Sequence, residues 1–354
     1  MINGYEIQER YEALPHGEQR LQAIKKAIAL ADAEKDYEFM YLFRSDLMSE
    51  SEFHNDSFQA FITFPEMIKL FDEHEKELGE YQHDYMWDFK WILSDCRDFY
   101  QVSKEKVYEL FDEFRNRCER YGYSLRPYYE NLYRFEANFD TQAAKKAYQM
   151  FVLSKRDIMC DCRACELDTM VDYELDNASI DRALETAYPI LSGQVKCANI
   201  PNATYDSIMH RYYQSGDFEK AEEYRKKCYR RISKEPSYLD TIGRMLMLYS
   251  KTDLSKGAKL FEKHLIWELN SRNYSSKMKF YIGAAALFTK LAKKKSEINL
   301  NLPEKFELHK ANGIYKVEVL AEYYRKKALD LIDKFDKRNE SDFNMQDYEY
   351  AMAE

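Results

Sequence analysis

Glycine and proline are scarce in this sequence: ten and seven residues among 354. With so few helix breakers and 32% charged residues, many of them long and unbranched, the chain cannot consist mainly of tight turns and short strands; it reads as predominantly helical. Long apolar runs are missing too. Nothing approaches the roughly 18 uninterrupted apolar residues that a spanning helix needs, so no membrane contact is expected. Excess positive charge is also absent. A formal net charge of −9 argues against a general affinity for phosphates and hence against a nucleic-acid partner. Lys293, Lys294 and Lys295 then read as a solvated helix end. The Walker-type phosphate loop, the dinucleotide glycine fingerprint, H-E-x-x-H and G-x-S-x-G do not occur, which weakens the case for an enzyme and leaves no catalytic residue to name. The opening MINGYEIQERYEAL is charged and amphipathic, unlike a secretory signal. Seven cysteines, an odd number, fit a reducing cytoplasm in which disulfides are not the default.

What the chain does have is helical periodicity, clearest over residues 201–233, PNATYDSIMHRYYQSGDFEKAEEYRKKCYRRIS. Tyr205, Ile208, Met209 and Tyr212 form one apolar stripe, and Phe218, Ala221, Tyr224 and Cys228 form a second. Between them, Gly216 is placed to end one helix and Asp217 to cap the next, which makes a helix hairpin. This block resembles a tetratricopeptide repeat, with Gly-Asp-aromatic at the turn and the small Ala221 where two helices approach closely. Val107, Ala144, Ala183 and Gly257 fall at equivalent positions, at spacings of roughly 36–39 residues against the ~34 of the standard repeat. Together, YGYSLRPYY, DCRACELD and GDFEKAEEYRKKCYR also look like a group of bacterial tetratricopeptide-type proteins. That resemblance implies a fold and no activity.

The expected architecture is all-α, a right-handed TPR-like solenoid of roughly seven or eight degenerate hairpins. Residues 1–84 form atypical N-terminal hairpins, with one over Arg20–Ala33 and Asp36–Ser49 and a helical stretch Phe58–Glu77 interrupted or restarted at Pro65. Residues 85–272 carry the TPR-like repeats. Residues 273–354 hold a helix over 276–294, a loop-rich or short-strand insertion at about 295–315, and a long helix Val317–Lys337. The tail SDFNMQDYEYAMAE either caps that helix or is disordered.

In such a solenoid the first helices line a concave wall where partners bind. Helical spacing places Arg126, Tyr129, Glu130 and Tyr133, then Asp168 and Asp172, then Asp206, His210 and Tyr213 on that wall. It would be acidic and aromatic, suited to a protein or peptide with a cationic segment; alternatively these side chains only solvate it. Asp168 with Asp172 and Asp206 with His210 are i, i+4 pairs that can bind a divalent metal or perform acid–base chemistry. Cys162 and Cys165 have the C-x-x-C spacing that grips zinc, with Cys160 and Cys197 available to complete four ligands. A redox pair and simple packed thiols remain open beside that reading. No cofactor is required by the sequence, and zinc is the one it allows. The functional expectation is a cytoplasmic recognition scaffold. Alternatives are a regulator gated by a peptide or metabolite and acting through a partner, or a metal-dependent enzyme using the Asp and His pairs.

Overall fold

The computed structural model describes residues 3–53 and 58–353; Met1, Ile2 and Glu354, at the ends of the two terminal stretches read above, lie outside them. It is helical almost throughout, and the chain forms two compact units, Met1–Ser124 with Ser271–Asn273, and Leu125–Asn270 with Tyr274–Glu354. The sequence placed the first boundary at residue 84. The helix Gln82–Asp95 spans that position and lies within the first unit, which runs to Ser124.

The first unit contains α1 (Gly4–Glu12), α2 (Glu18–Glu34), α3 (Tyr37–Phe53), α4 (Phe58–Glu73), α5 (Glu75–Leu78), α6 (Gln82–Asp95) and α7 (Lys104–Tyr121). The expected α2–α3 hairpin is present, with Ile24, Ala27, Ala31, Phe39 and Phe43 in its core. Pro65 does not interrupt its helix: α4 runs through it. The ~3 kcal/mol that an interior proline costs is offset by the burial of Phe64, Met67, Leu70 and Phe71 along one side of α4. The break comes at His74 instead, ahead of α5.

The second unit holds four helix pairs: α8 (Arg126–Glu136) with α9 (Thr141–Leu153), α10 (Arg163–Asn177) with α11 (Ile180–Leu191), α12 (Asn202–Gln214) with α13 (Phe218–Ile232), and α14 (Leu239–Thr252) with α15 (Leu254–Asn270). Contacts also run between successive first helices, from α8 to α10, α12 and α14. The five positions aligned in the sequence, Val107, Ala144, Ala183, Ala221 and Gly257, are each the fourth residue of their helix, in α7, α9, α11, α13 and α15. Each such helix opens on a Ser or Asp whose side-chain oxygen accepts a backbone N–H of the first turn: Ser103, Asp140, Ser179, Asp217 and Asp253. Gly216 takes the left-handed conformation, φ 81°, at the end of α12.

After the four pairs come α16 (Tyr274–Ala292), a two-stranded antiparallel ribbon of β1 (Glu297–Asn299) and β2 (Ile314–Lys316), α17 (Val317–Asn339) and α18 (Phe343–Met352). The ribbon is the expected insertion, anchored by buried Ile298 and Tyr315, which pair across it. The tail folds. Asp336 of α17 accepts the backbone N–H groups of Asn344 and Met345 at 3.1 and 3.0 Å and so caps α18. Lys279 of α16 pairs with Asp347 at 2.7 Å, and Tyr350 donates to the carbonyls of Tyr213 and Gln214 at the end of α12.

α14 and α16 approach each other backbone to backbone. A Cβ on Gly243 would stand 2.5 Å from the Lys279 carbonyl group, and one on Gly283 would meet the Gly243 carbonyl oxygen. No side chain can be relocated to relieve a clash with backbone. Gly283→Ala should therefore lower stability by about 2–3 kcal/mol, read from the urea midpoint. An unchanged midpoint would mean that the two backbones do not touch.

Candidate functional site

Two features bring chemistry-bearing side chains together, and both involve α10. The first is a sulfur cluster. Cys162 is the N-cap residue of α10, and Cys165, one turn on, falls on the same side of the helix. Cys197 lies between α11 and α12, its N–H donating to the Ile200 carbonyl at 3.2 Å. Cys165 and Cys197 pack against a small apolar core of Ala164, Ile190 and Ile200. Sulfur separations are 3.5 Å from Cys162 to Cys165 and 3.4 Å from Cys165 to Cys197, with all three Sγ atoms within 4.8 Å of one another. Tetrahedral zinc with bonds of ~2.3 Å sets its sulfurs ~3.8 Å apart, so the trio can hold one ion with small adjustments.

Cys160 does not join the trio. It is buried in the turn that follows Asp157, where its sulfur accepts the Asp157 N–H at 3.3 Å and donates toward the Asp157 carboxylate at 3.6 Å. Burial pushes its thiol up to about 11. The sequence offered it as a fourth ligand, but the local turn directs it at a carboxylate. Burial also opposes ionisation of Cys162, yet the N–H groups of Cys165 and Ala164 and the two neighbouring thiols outweigh this and leave its thiol below the ordinary value. No cap hydrogen bond of normal geometry accompanies that field. The Cys165 thiol is raised, first by burial and then by its sulfur neighbours.

The second feature is a polar ladder between the first helices. Thr169 of α10 donates to Glu130 of α8 at 2.7 Å. Thr204 of α12 donates to Asp168 of α10, and Thr241 of α14 donates to Asp206 of α12 at 3.0 Å. Guanidinium groups flank it. Arg134 reaches Glu130 and Thr169, Arg244 pairs with Asp206 at 2.6 Å, and Arg126 binds Glu166 through two bonds at 2.9 and 3.0 Å while donating to the Phe151 and Ser154 carbonyls.

These contacts alter the expected groove. Arg126, Glu130, Tyr133, Asp168, Asp206 and Tyr213 are buried rather than displayed, because they lie where neighbouring helices pack. Tyr133 lies edge-on to Tyr148 and Tyr173, and Tyr213 is covered by Tyr350 of α18. Tyr129, Asp172 and His210 keep partial exposure. His210 stands 3.9 Å from Asp347 of α18. Sequence reasoning missed the donors Thr169, Thr204 and Thr241, together with Arg134, Arg244, Asp176 and Asp347. The recurrence of threonine one hairpin after each buried carboxylate is the signal that could have found the ladder.

Burial dominates the electrostatics of this face. It lifts Asp168 to about 7, with Asp172 adding to the effect, and Asp206 to about 6 despite Arg244. Glu130 is raised for the same reason. Asp176, whose surface reaches solvent, is still hemmed in by protein and stands at about 6, with Asp172 adding repulsion. Burial and then Arg244 lower His210 to about 3. Burial likewise opposes ionisation of Asp347, but Lys279 and His210 outweigh it and hold that carboxyl below its usual range.

Among the described residues, the Cys162–Cys165–Cys197 trio is the one gathering of three or more His, Cys, Asp or Glu ligand atoms. Asp168, Asp172, Asp206 and His210 do not converge as a set. No helix is long and apolar enough to cross a membrane. Set beside known proteins, the chain matches no family model, no curated protein and no solved structure.

A carboxylate raised from 3.8 to about 7 on folding contributes stability that is complete below about pH 4 and lost as the pH climbs through 7. Asp168→Asn keeps an acceptor for Thr204 without a charge. The variant should therefore gain on the wild type by about 2 kcal/mol between pH 5 and pH 8 in urea unfolding. The same difference at both pH values would mean that Asp168 is not short of counter-charge.

Proposed function

We propose that this chain is a recognition scaffold: a right-handed solenoid of TPR-like hairpins whose first-helix face takes up a cationic segment of a partner protein. The observation that carries this reading is the crowding of carboxylates along α10. Burial, and then repulsion from Asp172, holds Asp176 at about 6, and an arriving guanidinium or ammonium group offsets that repulsion. Asp172 and Asp176 reach solvent, so they make the contact.

The test is fluorescence anisotropy with a labelled, arginine-containing peptide. Asp172→Asn with Asp176→Asn should weaken binding at least tenfold, whereas Glu318→Gln with Glu322→Gln, the same charge change on exposed α17 residues, should not. Equal losses in both pairs would reduce the binding to net charge and remove the site.

Zinc belongs to the same reading as a staple. Three thiolates form a soft donor set suited to Zn²⁺, and the ion would tie the start of α10 to the segment before α12. Protein purified without added metal should carry about one zinc per chain, and Cys162→Ser with Cys165→Ser should carry none. A wild-type content below a tenth of an ion per chain would remove zinc from the proposal.

A further inference from the structure

We infer that the sulfur trio is an open metal centre: Cys162, Cys165 and Cys197 hold the ion, and its fourth position takes a thiol from outside the chain. This rests on the metal reading above and goes beyond it, since three protein ligands leave one coordination position that a closed four-ligand site does not.

Three observations carry it. First, the three sulfurs already lie within 4.8 Å of one another, and no fourth His, Cys, Asp or Glu ligand atom of the described residues joins them. Second, the neighbouring thiol best placed in sequence, Cys160, is committed to the Asp157 turn. Third, the cluster has two unlike sides. Cys165 and Cys197 rest on Ala164, Ile190 and Ile200, which offer no side-chain donor, whereas Cys162 is exposed. An ion bound to all three is closed off by hydrocarbon on one side and reaches solution on the other.

The class of fourth ligand follows from the donor set. Three thiolates on a divalent ion make a soft centre that favours sulfur over oxygen. In the exchange, bound water leaves and the incoming thiol binds through sulfur as its thiolate. Its proton passes to solvent, and no electron is transferred. A small thiol in solution reaches that position on the side of exposed Cys162, at the start of the helix.

Cobalt(II) substitution of the full chain tests this, because the sulfur-to-cobalt charge-transfer band grows with each Co–S bond. The probe is 2-mercaptoethanol, added to the cobalt-loaded protein after the reductant used in purification has been removed. The band should begin at the strength of three sulfur bonds and rise saturably by about one third as a fourth forms. Cys160→Ser should behave identically, with helicity by circular dichroism confirming that it is folded. Four-sulfur strength before any thiol is added, a fall of one sulfur in Cys160→Ser, or a band indifferent to 2-mercaptoethanol would each overturn the open centre while leaving a metal site in place. Failure to bind cobalt or zinc at all would overturn the metal reading and this inference with it.

Discussion

The second unit depends on a constraint between its first helices: three buried carboxylates each accept from a threonine hydroxyl on the next first helix. Glu130 takes Thr169, Asp168 takes Thr204, and Asp206 takes Thr241, across 39, 36 and 35 residues of sequence. A hydrogen bond to a charged group adds only ~1.5–3 kcal/mol, but losing the partner of a buried carboxylate costs at least as much again in uncompensated desolvation. The ladder therefore acts chiefly as a register. If α12 slid by one turn against α10, Asp168 would lose Thr204, and no nearby water or side chain would be guaranteed in exchange. Apolar packing is more forgiving, since a stripe of Ile208, Met209 and Tyr212 can repack after a small shift.

Around that register, the remaining elements are set by local chemistry. Each second helix starts where a Ser or Asp side chain captures an orphan N–H, and the small residue at its fourth position lets it lie against its partner. At Gly257 even this is tight, for a Cβ there would meet the Leu287 and Tyr249 side chains. The α14–α16 crossing takes the same logic to its limit, with glycine on both sides so that backbone meets backbone. α18 then completes the end of the unit through Asp336, Lys279 and the Tyr350 hydroxyl. Its ion pair with Lys279 is largely shielded from water, which makes the tail a part of the packing rather than an appendage.

These two kinds of constraint explain what could be read in advance. Caps and turns are local, so Asp217 and Gly216 mark helix ends correctly in the sequence, and the equivalence of Ala144, Ala183 and Ala221 follows from their position after the cap. Pro65 misleads because a local rule is overridden by the burial of Phe64 and Phe71. The inner face is legible only in part. Helical spacing groups Asp168 and Asp206 on one side of their helices, but periodicity does not say whether the next hairpin covers that side, and Thr204 and Thr241 do cover it. Among the cysteines, Cys162 and Cys165 follow from spacing on one helix. Cys197 meets them because the segment before α12 returns to the start of α10, whereas Cys160, only two residues away from Cys162, is lost to a tight turn.

The sulfur trio and the polar ladder share one element. Along α10, Cys165 is followed at once by Glu166, which holds Arg126, and then by Asp168 and Thr169, which hold Thr204 and Glu130. A helix transmits rotation and translation over so short a distance with little loss, because each residue is fixed by the backbone bonds of the turn before it. Whatever fixes Cys165 against Cys197 therefore also fixes the rotation of α10 about its axis, and with it the direction in which Asp168 and Thr169 present their oxygens. The ladder in turn limits how far Cys165 can move toward or away from an ion. Sulfur geometry and carboxylate register are thus two readings of the same helix orientation, and a change at either end must be felt at the other.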